Sequence, residues 1–228
     1  LLLKIEPKPD LVAQTRAAIR GAIIAGELPP YSPLAQEDLA SKFGVSRQPI
    51  SHALAMLKQE GLIVERGRKG QMVAPIDPEK LLALYQVRGA LDRLAARLTA
   101  TRSHQNSSGL LEIVERGKDA LNKRSVEALV SADIAFHSAL YELSGNNEIS
   151  ITAENFWPHI ARSMRVVLED KDQWSRIWEE HRAIAQAVQD GNVEKAGDLA
   201  TGHAEKSGEA TYQRLLSEQS NLKKQANQ

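Results

Sequence analysis

Residues 34–75, LAQEDLASKFGVSRQPISHALAMLKQEGLIVERGRKGQMVAP, decide how the first third of the chain folds and what the remainder serves. Leu39 and Phe43 stand four apart, on one face of a short helix. Gly44 follows where a left-handed residue is needed to stop that helix. Ser46 is placed to cap a second helix, with Ile50, Ala53, Leu54 and Leu57 at helical spacing on its inner side. Pro49 is tolerated in the first turn, where its missing N–H has no intrahelical partner. Arg47, Gln48, Ser51 and His52 are left facing outward near the helix start. A helix–turn–helix presents that end of its second helix to base edges in a major groove. Beyond Gly61, Leu62-Ile63-Val64 and Met72-Val73 read as two short strands around a basic wing that carries Arg66, Arg68, Lys69 and Gly70. The alternative, a small helical subdomain with a solvated basic loop, explains less of this pattern. The stretch reads as a grip on double-stranded DNA.

The net charge of zero is uneven along the chain. Residues 1–76 hold ten Lys/Arg against seven Asp/Glu, and residues 77–228 hold nineteen against twenty-two. The basic excess lies in 42–69, where Lys42, Arg47, Lys58, Arg66, Arg68 and Lys69 face only Glu60 and Glu65. Phosphate contact needs that local stripe, whatever the whole-chain sum. The charge split marks a boundary near residue 76, giving a DNA-binding domain over 1–76 and a second domain over 77–228. Cysteine is absent, which excludes disulfides, thiolate metal sites and thiol catalysis. No apolar run is long enough to span a bilayer, and LLLKIEPKPD lacks the features of a signal peptide. A cytoplasmic protein with no membrane segment is expected.

Residues 10–25 read as a first helix with Leu11, Thr15, Ala18, Ile19, Ala22 and Ile23 inward. Pro29, Pro30 and Pro33 then keep the chain extended. Asp77 as N-cap, Pro78 at the first position and Glu79 in the first turn open the second domain. About six helices follow, over 78–101, 109–122, 125–144, 147–169, 171–190 and 193–216. Pro158 should kink the fourth, and the polar tail from Ser217 should fray. The fold class is mostly α: a winged helix–turn–helix with a small β-wing, then an all-α bundle.

Three of the six histidines fall on apolar helix stripes. His137 lies with Leu129, Asp133, Phe136 and Leu140; His181 with Trp174, Ile177, Trp178, Ile184 and Val188; His203 with Val193, Ala196 and Ala200. Each imidazole then points inward from a different helix, and Asp133 projects beside His137 one turn earlier. A buried carboxylate is costly unless it is paired or metal-bound. Three imidazoles and one carboxylate suit a divalent metal ion, with Zn²⁺ first and Ni²⁺ or Mn²⁺ as alternatives. Any one of these histidines taken alone is better read as a hydrogen-bonded core residue. His104 and His159 read as exposed or loop residues. Arg88 lies on the stripe Leu81, Leu84, Tyr85, Leu91, Ala95 and Leu98, where a guanidinium needs a partner. Asp92, four residues on, is the structural choice, and the carboxylate of a small ligand is the functional one. Arg162 and Arg165 are further candidates for the same cavity.

The segment Leu39-Ala40, Gly44-Val45-Ser46-Arg47-Gln48-Pro49, Ala53-Leu54, Leu57, Glu60-Gly61-Leu62 and Gly67…Gly70…Val73 resembles the winged helix–turn–helix of GntR-type bacterial transcription regulators. It departs from that pattern at Ser51, where a basic residue is usual, and at Pro30, which replaces the glycine of a Pro-Gly turn. Glu37 also stands where some members carry a basic residue. The second domain is similar to the all-helical FCD type, whose metal set is Asp-x₃-His on one helix and a histidine on each of two later ones. Asp133…His137, His181 and His203 match that set, and Tyr85-Gln86-Val87-Arg88 matches the Tyr-x₂-Arg of its first helix. A count of six helices favours the VanR-like branch over the FadR-like one. The resemblance implies a homodimeric repressor on a palindromic operator, controlled by a small organic acid that contacts Tyr85, Arg88 and Arg165 beside the metal. The competing readings are a metal-dependent hydrolase or lyase with a DNA-binding arm, and a metal-free ligand-binding regulator. No HExxH-type motif supports the enzyme.

Overall fold

The computed structural model describes residues 10–67, 70–102, 108–123, 125–167 and 172–226. Arg68 and Lys69 of the expected wing, and His104, lie outside the described residues. The chain forms two compact units, Leu1–Pro75 and Ile76–Gln228.

The first unit starts with α1 (Leu11–Ala25), whose first turn is capped by Asp10 accepting from the Ala13 N–H at 3.0 Å. Thr15, Ile19 and Ile23 are its buried face, whereas Leu11 and Ala18 are exposed, so the inner stripe is narrower than the spacing suggests. α2 (Gln36–Phe43) and α3 (Arg47–Gln59) follow, with Gly44 at φ 64° ending α2. Ile19, Ile23, Leu39, Ile50, Leu54 and Leu57 join Leu62, Ile63 and Val73 in one core.

Three strands form the wing: β1 (Pro33–Leu34), β2 (Ile63–Glu65) and β3 (Gln71–Val73), antiparallel in the order β1-β3-β2. The sequence suggested only the last two. The proline-rich run is extended as expected, and it adds an edge strand through Pro33↔Met72 and Leu34↔Gln71. A proline is tolerated there because an edge strand has a side with no ladder to complete. The turn before it holds a specific consequence of Pro30. The Ser32 N–H donates to the Pro29 carbonyl at 3.1 Å, closing a four-residue turn. Pro30 cannot adopt positive φ, and Tyr31 takes φ 70° instead, in the position a type II turn reserves for glycine.

The second unit opens on α4 (Pro78–Thr101), capped by Asp77, which accepts from the Glu79 and Lys80 N–H groups. α5 (Ser108–Lys123), α6 (Val126–Ser144), α7 (Asn147–Ala153), α8 (Trp157–Val167), α9 (Asp172–Gln189) and α10 (Val193–Ala226) complete it. α10 lies along α4 over most of its length, and α5 rests on α6 and α9. The stretch 147–169, expected as one kinked helix, is two helices with a turn at 154–156. The physical reason is Pro158, which falls at the second position of α8, where it costs no hydrogen bond. The described helices of this unit number seven, so the count no longer argues for the VanR-like branch. α10 also runs to Ala226 rather than fraying at Ser217, since nothing after Leu216 is a glycine or proline.

Candidate functional site

α6 brings Asp133 and His137 inward on successive turns, while α9 contributes His181 and α10 contributes His203. All four side chains are buried, and one ligand atom from each lies within 4.8 Å of every other. Nε2 of His181 is 3.2 Å from Nε2 of His203 and 3.4 Å from Asp133 Oδ1. Nε2 of His137 is 3.8 Å from Asp133 Oδ2. The four residues singled out in the sequence therefore meet at one point. Phe136 stacks on the His181 ring at 4.2 Å, and Trp178 meets it edge-on at 4.9 Å, which fixes that ring's plane.

The far nitrogens of two of these rings point to carboxylates. His203 Nδ1 is 2.9 Å from Glu180 Oε2, and His137 Nδ1 is 3.4 Å from Asp92 Oδ2. Burial lowers the pKa of all three imidazoles, His137 to about 4, so they are neutral at pH 7. A neutral ring has one N–H. His203 spends it on Glu180 and so turns its Nε2 lone pair toward the cluster, 3.2 Å from the His181 Nε2. His137 also has its lone pair on Nε2, where it accepts from Arg88 Nη2, which can only donate.

Arg88 and Asp92 are fully buried on α4. Arg88 Nε donates to Asp92 Oδ2 at 3.2 Å, and the Tyr141 hydroxyl donates to Asp92 Oδ1 at 2.5 Å. Burial works against the Asp92 carboxylate, but His137, Arg88 and Tyr141 hold its pKa well below the usual range. The structural partner expected for Arg88 is thus present, and His137 is a second one. The Trp157 ring covers the guanidinium at 4.9 Å and the Tyr85 ring at 5.4 Å. Tyr85 is held there by the close passage of α10: a Cβ at Gly208 would lie 2.6 Å from the Tyr85 Cβ.

The chemistry of the donor set fits a metal. Burial pushes the Asp133 pKa up, with Arg88 and His203 opposing it only in part. Its Oδ2 is buried with no hydrogen-bond partner among the described residues. A desolvated carboxylate oxygen beside inward-turned imidazole nitrogens is a poor core but a suitable set of three N and one O donors. Glu180 and Asp92 supply the outer hydrogen bonds that orient such ligands.

A cavity opens beside the cluster. Tyr85, Arg88, Asp133, Met164, Arg176, Ile177, His203, Ser207 and Thr211 line it. With Arg88 turned onto His137, its volume is about 20 Å³, room for one water, so an acid enters only if Arg88 and the adaptable Met164 move. Arg165 does not line it. It stands half-buried beside Met164, and successive residues of a helix face about 100° apart. Arg162 is buried, with its pKa lowered to about 10 by that burial, and does not line the cavity either. His159, expected to be exposed, is buried, because α8 starts later than the sequence suggested and turns that position inward. Sequence reasoning missed Arg176, Glu180 and Trp157.

In the first unit, Arg47, Gln48 and His52 are exposed along the start of α3, and Ser51 is half-buried. Ser46 holds the N-cap position, yet its side chain makes no capping bond, leaving the hydroxyl facing outward. Arg47 is ion-paired with Glu37, and Lys58 with Glu65 at 2.6 Å, so the basic stripe is partly neutralised. Gly67 and Gly70 take φ 60° and 87° at the wing tip, where the Arg66 N–H donates to the Gly70 carbonyl at 2.7 Å. Among the described residues, no helix is long and apolar enough to cross a membrane.

Two families match this sequence: "Bacterial regulatory proteins, gntR family" over residues 11–73 and "FCD domain" over residues 83–206. An HTH-type transcriptional regulator in an unstable DNA locus of Streptomyces ambofaciens is 30% identical over 190 residues, covering 81% of this chain and 78% of that protein. The gluconate operon transcriptional repressor of Bacillus subtilis is 27% identical over 176 residues, 75% of this chain and 72% of its own length. Among solved structures, a GntR regulator from Rhodococcus sp. RHA1 shares the fold at TM-score 0.77 and 22% identity, covering 88% of this chain and 96% of that one. McbR/YncC of E. coli does so at TM-score 0.77 and 19% identity, covering 90% and 98%.

Proposed function

The chain belongs to the gntR family of bacterial regulatory proteins, with an FCD domain behind its winged helix–turn–helix, and on that premise we propose that it is a repressor relieved by a small organic acid bound beside a divalent metal ion. The family consists of transcription regulators, not enzymes, so the hydrolase or lyase alternative loses its ground. Relatives named as repressors act on gluconate and, more distantly, D-xylose utilisation operons. The observation that carries the proposal is the meeting of Asp133, His137, His181 and His203 next to a cavity lined by Arg88 and Tyr85.

Asp133 and the three Nε2 atoms would hold the metal; three imidazoles and one carboxylate suit Zn²⁺ first, with Ni²⁺ and Mn²⁺ also compatible. When bound, such an ion supplies a positive centre to which an acid can coordinate. Arg88 donates to the same His137 lone pair that metal ligation requires. Once that lone pair is committed elsewhere, the guanidinium turns within the cavity it lines and forks onto a carboxylate. In the first unit, Arg47, Gln48, Ser46, Ser51 and His52 would read or position on DNA, and Arg66, Arg68, Lys69 and Gly70 would follow the backbone as a wing.

A palindromic operator requires two copies. Ala83, Val87, Ala90 and Leu94 are exposed on α4 at the three/four spacing of a helix–helix seam, and we assign them to a homodimer contact. The acid controls DNA binding only if it prefers one arrangement of that dimer.

The test is selection of duplexes from a random pool by the zinc-loaded chain, followed by release with a panel of carboxylic acids. Palindromic sites and release by at least one acid are expected. Arg88→Ala should bind the selected duplex as wild type does and ignore the acid; retained release would remove Arg88 from the effector site. Release unaltered by chelation would favour the metal-free regulator instead.

A further inference from the structure

The two helices of the helix–turn–helix are joined by an ion pair between Glu37, in the first turn of α2, and Arg47, at the start of α3. Their side chains are 73% and 64% exposed, so the pair adds little to stability and the fold alone does not account for it. Beside Arg47 stand the outward Gln48 and His52, on the helix end that such a motif turns to base edges. A carboxylate placed there meets a field of phosphates and is repelled unless a donor receives it. The positive end of α2 does not require Glu37, since Asp38 lies in the same turn. In the major groove, the donors are the amino groups of cytosine and adenine. A G·C pair presents N7 and O6 of guanine and then N4 of cytosine, the order acceptor, acceptor, donor. An A·T pair alternates acceptor, donor, acceptor. An arginine and a carboxylate held side by side offer donor, donor, acceptor, which complements the first order and not the second. With five N–H groups, the guanidinium can fork onto guanine and still keep Glu37.

We propose that Glu37 and Arg47 act as one reader of a single G·C pair in each operator half-site, Arg47 on guanine N7 and O6 and Glu37 on the cytosine amino group. This rests on the reading that the start of α3 enters the major groove. Glu37 then does two things. It holds the guanidinium in register with the guanine, and it accepts from the amino group that marks the partner base as cytosine. An A·T pair in the same orientation sets the thymine O4 acceptor against the carboxylate and the adenine amino donor against the guanidinium, so it is rejected at both atoms. Glu37 is thus a specificity-determining residue on α2, the helix that precedes the recognition helix.

The experiment is competition binding by the zinc-loaded full chain to its selected duplex, with each G·C pair of the half-site modified in turn. 7-Deazaguanine removes the N7 acceptor, and N4-methylcytosine puts a methyl group where the amino hydrogen faces the groove; both keep the base pair. At one G·C pair per half-site, wild type should lose about fivefold or more to each modification. Glu37→Ala should abolish the N4-methyl penalty at that pair and leave the penalties elsewhere in the site as they were. Arg47→Ala should abolish the 7-deaza penalty at the same pair. Glu37→Gln, which keeps an acceptor oxygen without the charge, should retain part of the N4-methyl penalty, and a melting curve on each preparation guards against a misfolded variant. An N4-methyl penalty unchanged in Glu37→Ala, or losses at different base pairs for the two alanine variants, overturns the joint reader and leaves α3 in the groove. A wild type indifferent to modification of every G·C pair overturns it equally. A wild type that selects no duplex overturns both the joint reader and the reading it rests on.

Discussion

Asp133→Asn should invert its effect on stability with the metal content of the sample. Asn has nearly the shape of Asp and no charge. In chelated protein, wild-type Asp133 carries a carboxylate whose pKa burial has raised and whose Oδ2 has no partner among the described residues. A raised carboxylate pKa means that the ionised form at neutral pH costs more in the folded than in the unfolded chain. An unsatisfied buried polar atom costs about 1–3 kcal/mol. Asn can offer its NH₂ to the imidazole nitrogens gathered around it and recover part of that cost. The variant should therefore melt at or above wild type in chelator, by about 2–4 °C for each kcal/mol recovered in a domain of this size. With free Zn²⁺ at a hundred times its dissociation constant, wild type gains about 2.7 kcal/mol. A variant that binds a hundredfold more weakly gains roughly 0.4 kcal/mol. The two melting curves should exchange order between chelator and zinc, followed by differential scanning calorimetry on matched samples. Equal destabilisation by Asp133→Asn in both conditions would refute the argument and make Asp133 a purely structural residue.

Glu180→Ala removes the acceptor that orients His203, and should lower zinc affinity by about 10–100-fold in a chelator competition. An unchanged constant would leave Glu180 as a surface partner of Arg176 and Lys206 only. Tyr31→Gly should stabilise the first unit by about 0.5–1 kcal/mol in urea unfolding: it relieves about 1–2 kcal/mol of left-handed strain, offset by the greater chain entropy of glycine. A loss of stability would show that the exposed Tyr31 ring makes contacts worth more than its backbone strain. Arg47→Ala should weaken binding to the selected duplex by about 1–3 kcal/mol and relax specificity at one position. Glu37→Ala frees Arg47 from its ion pair and should steepen the salt dependence of binding, since one more cation then meets phosphate. Unchanged isotherms for both would place the start of α3 outside the interface.

The parts legible in the sequence were those set by local periodicity. Gly44 ended α2 because only an unhindered residue takes φ 64° readily, and the three-and-four spacing placed His137, His181 and His203 on inner faces. What it did not disclose depends on which helix lies opposite. Glu180 is one residue from His181 and so about 100° away from its face, where it reads as solvent-exposed. α9 and α10 form a hairpin about Gly191, however, and positions equally far from the turn come opposite one another. Residues 180 and 203 lie eleven and twelve positions from 191, so the hairpin rule alone could have paired Glu180 with His203. Arg176 is one turn earlier on the same strip. β1 escaped notice for a different reason: two residues carry no alternation, and only the register with β3 makes them a strand.

A core containing Arg88, Asp92, Asp133 and three imidazoles is a weak way to hold a bundle together. Well-packed apolar residues of similar volume would stabilise as much or more. Such a cluster is favoured where the binding energy of a ligand has to be transmitted rather than merely added to the fold. Transmission needs an element that senses the ligand on one face and a partner on the other. α4 meets that requirement: Tyr85, Arg88 and Asp92 are on its buried side, while Val87 and Leu94 are 49% and 42% exposed on the opposite one. On the dimer reading, a shift of α4 that lets Arg88 leave His137 is also a shift of the seam between copies. Coupling of this kind is reciprocal, so operator DNA must change the affinity for the acid by the same factor that the acid changes the affinity for DNA. Measuring the acid's dissociation constant with and without saturating duplex would test that. Equal constants would separate the cavity from DNA control, even if both sites bind their ligands tightly.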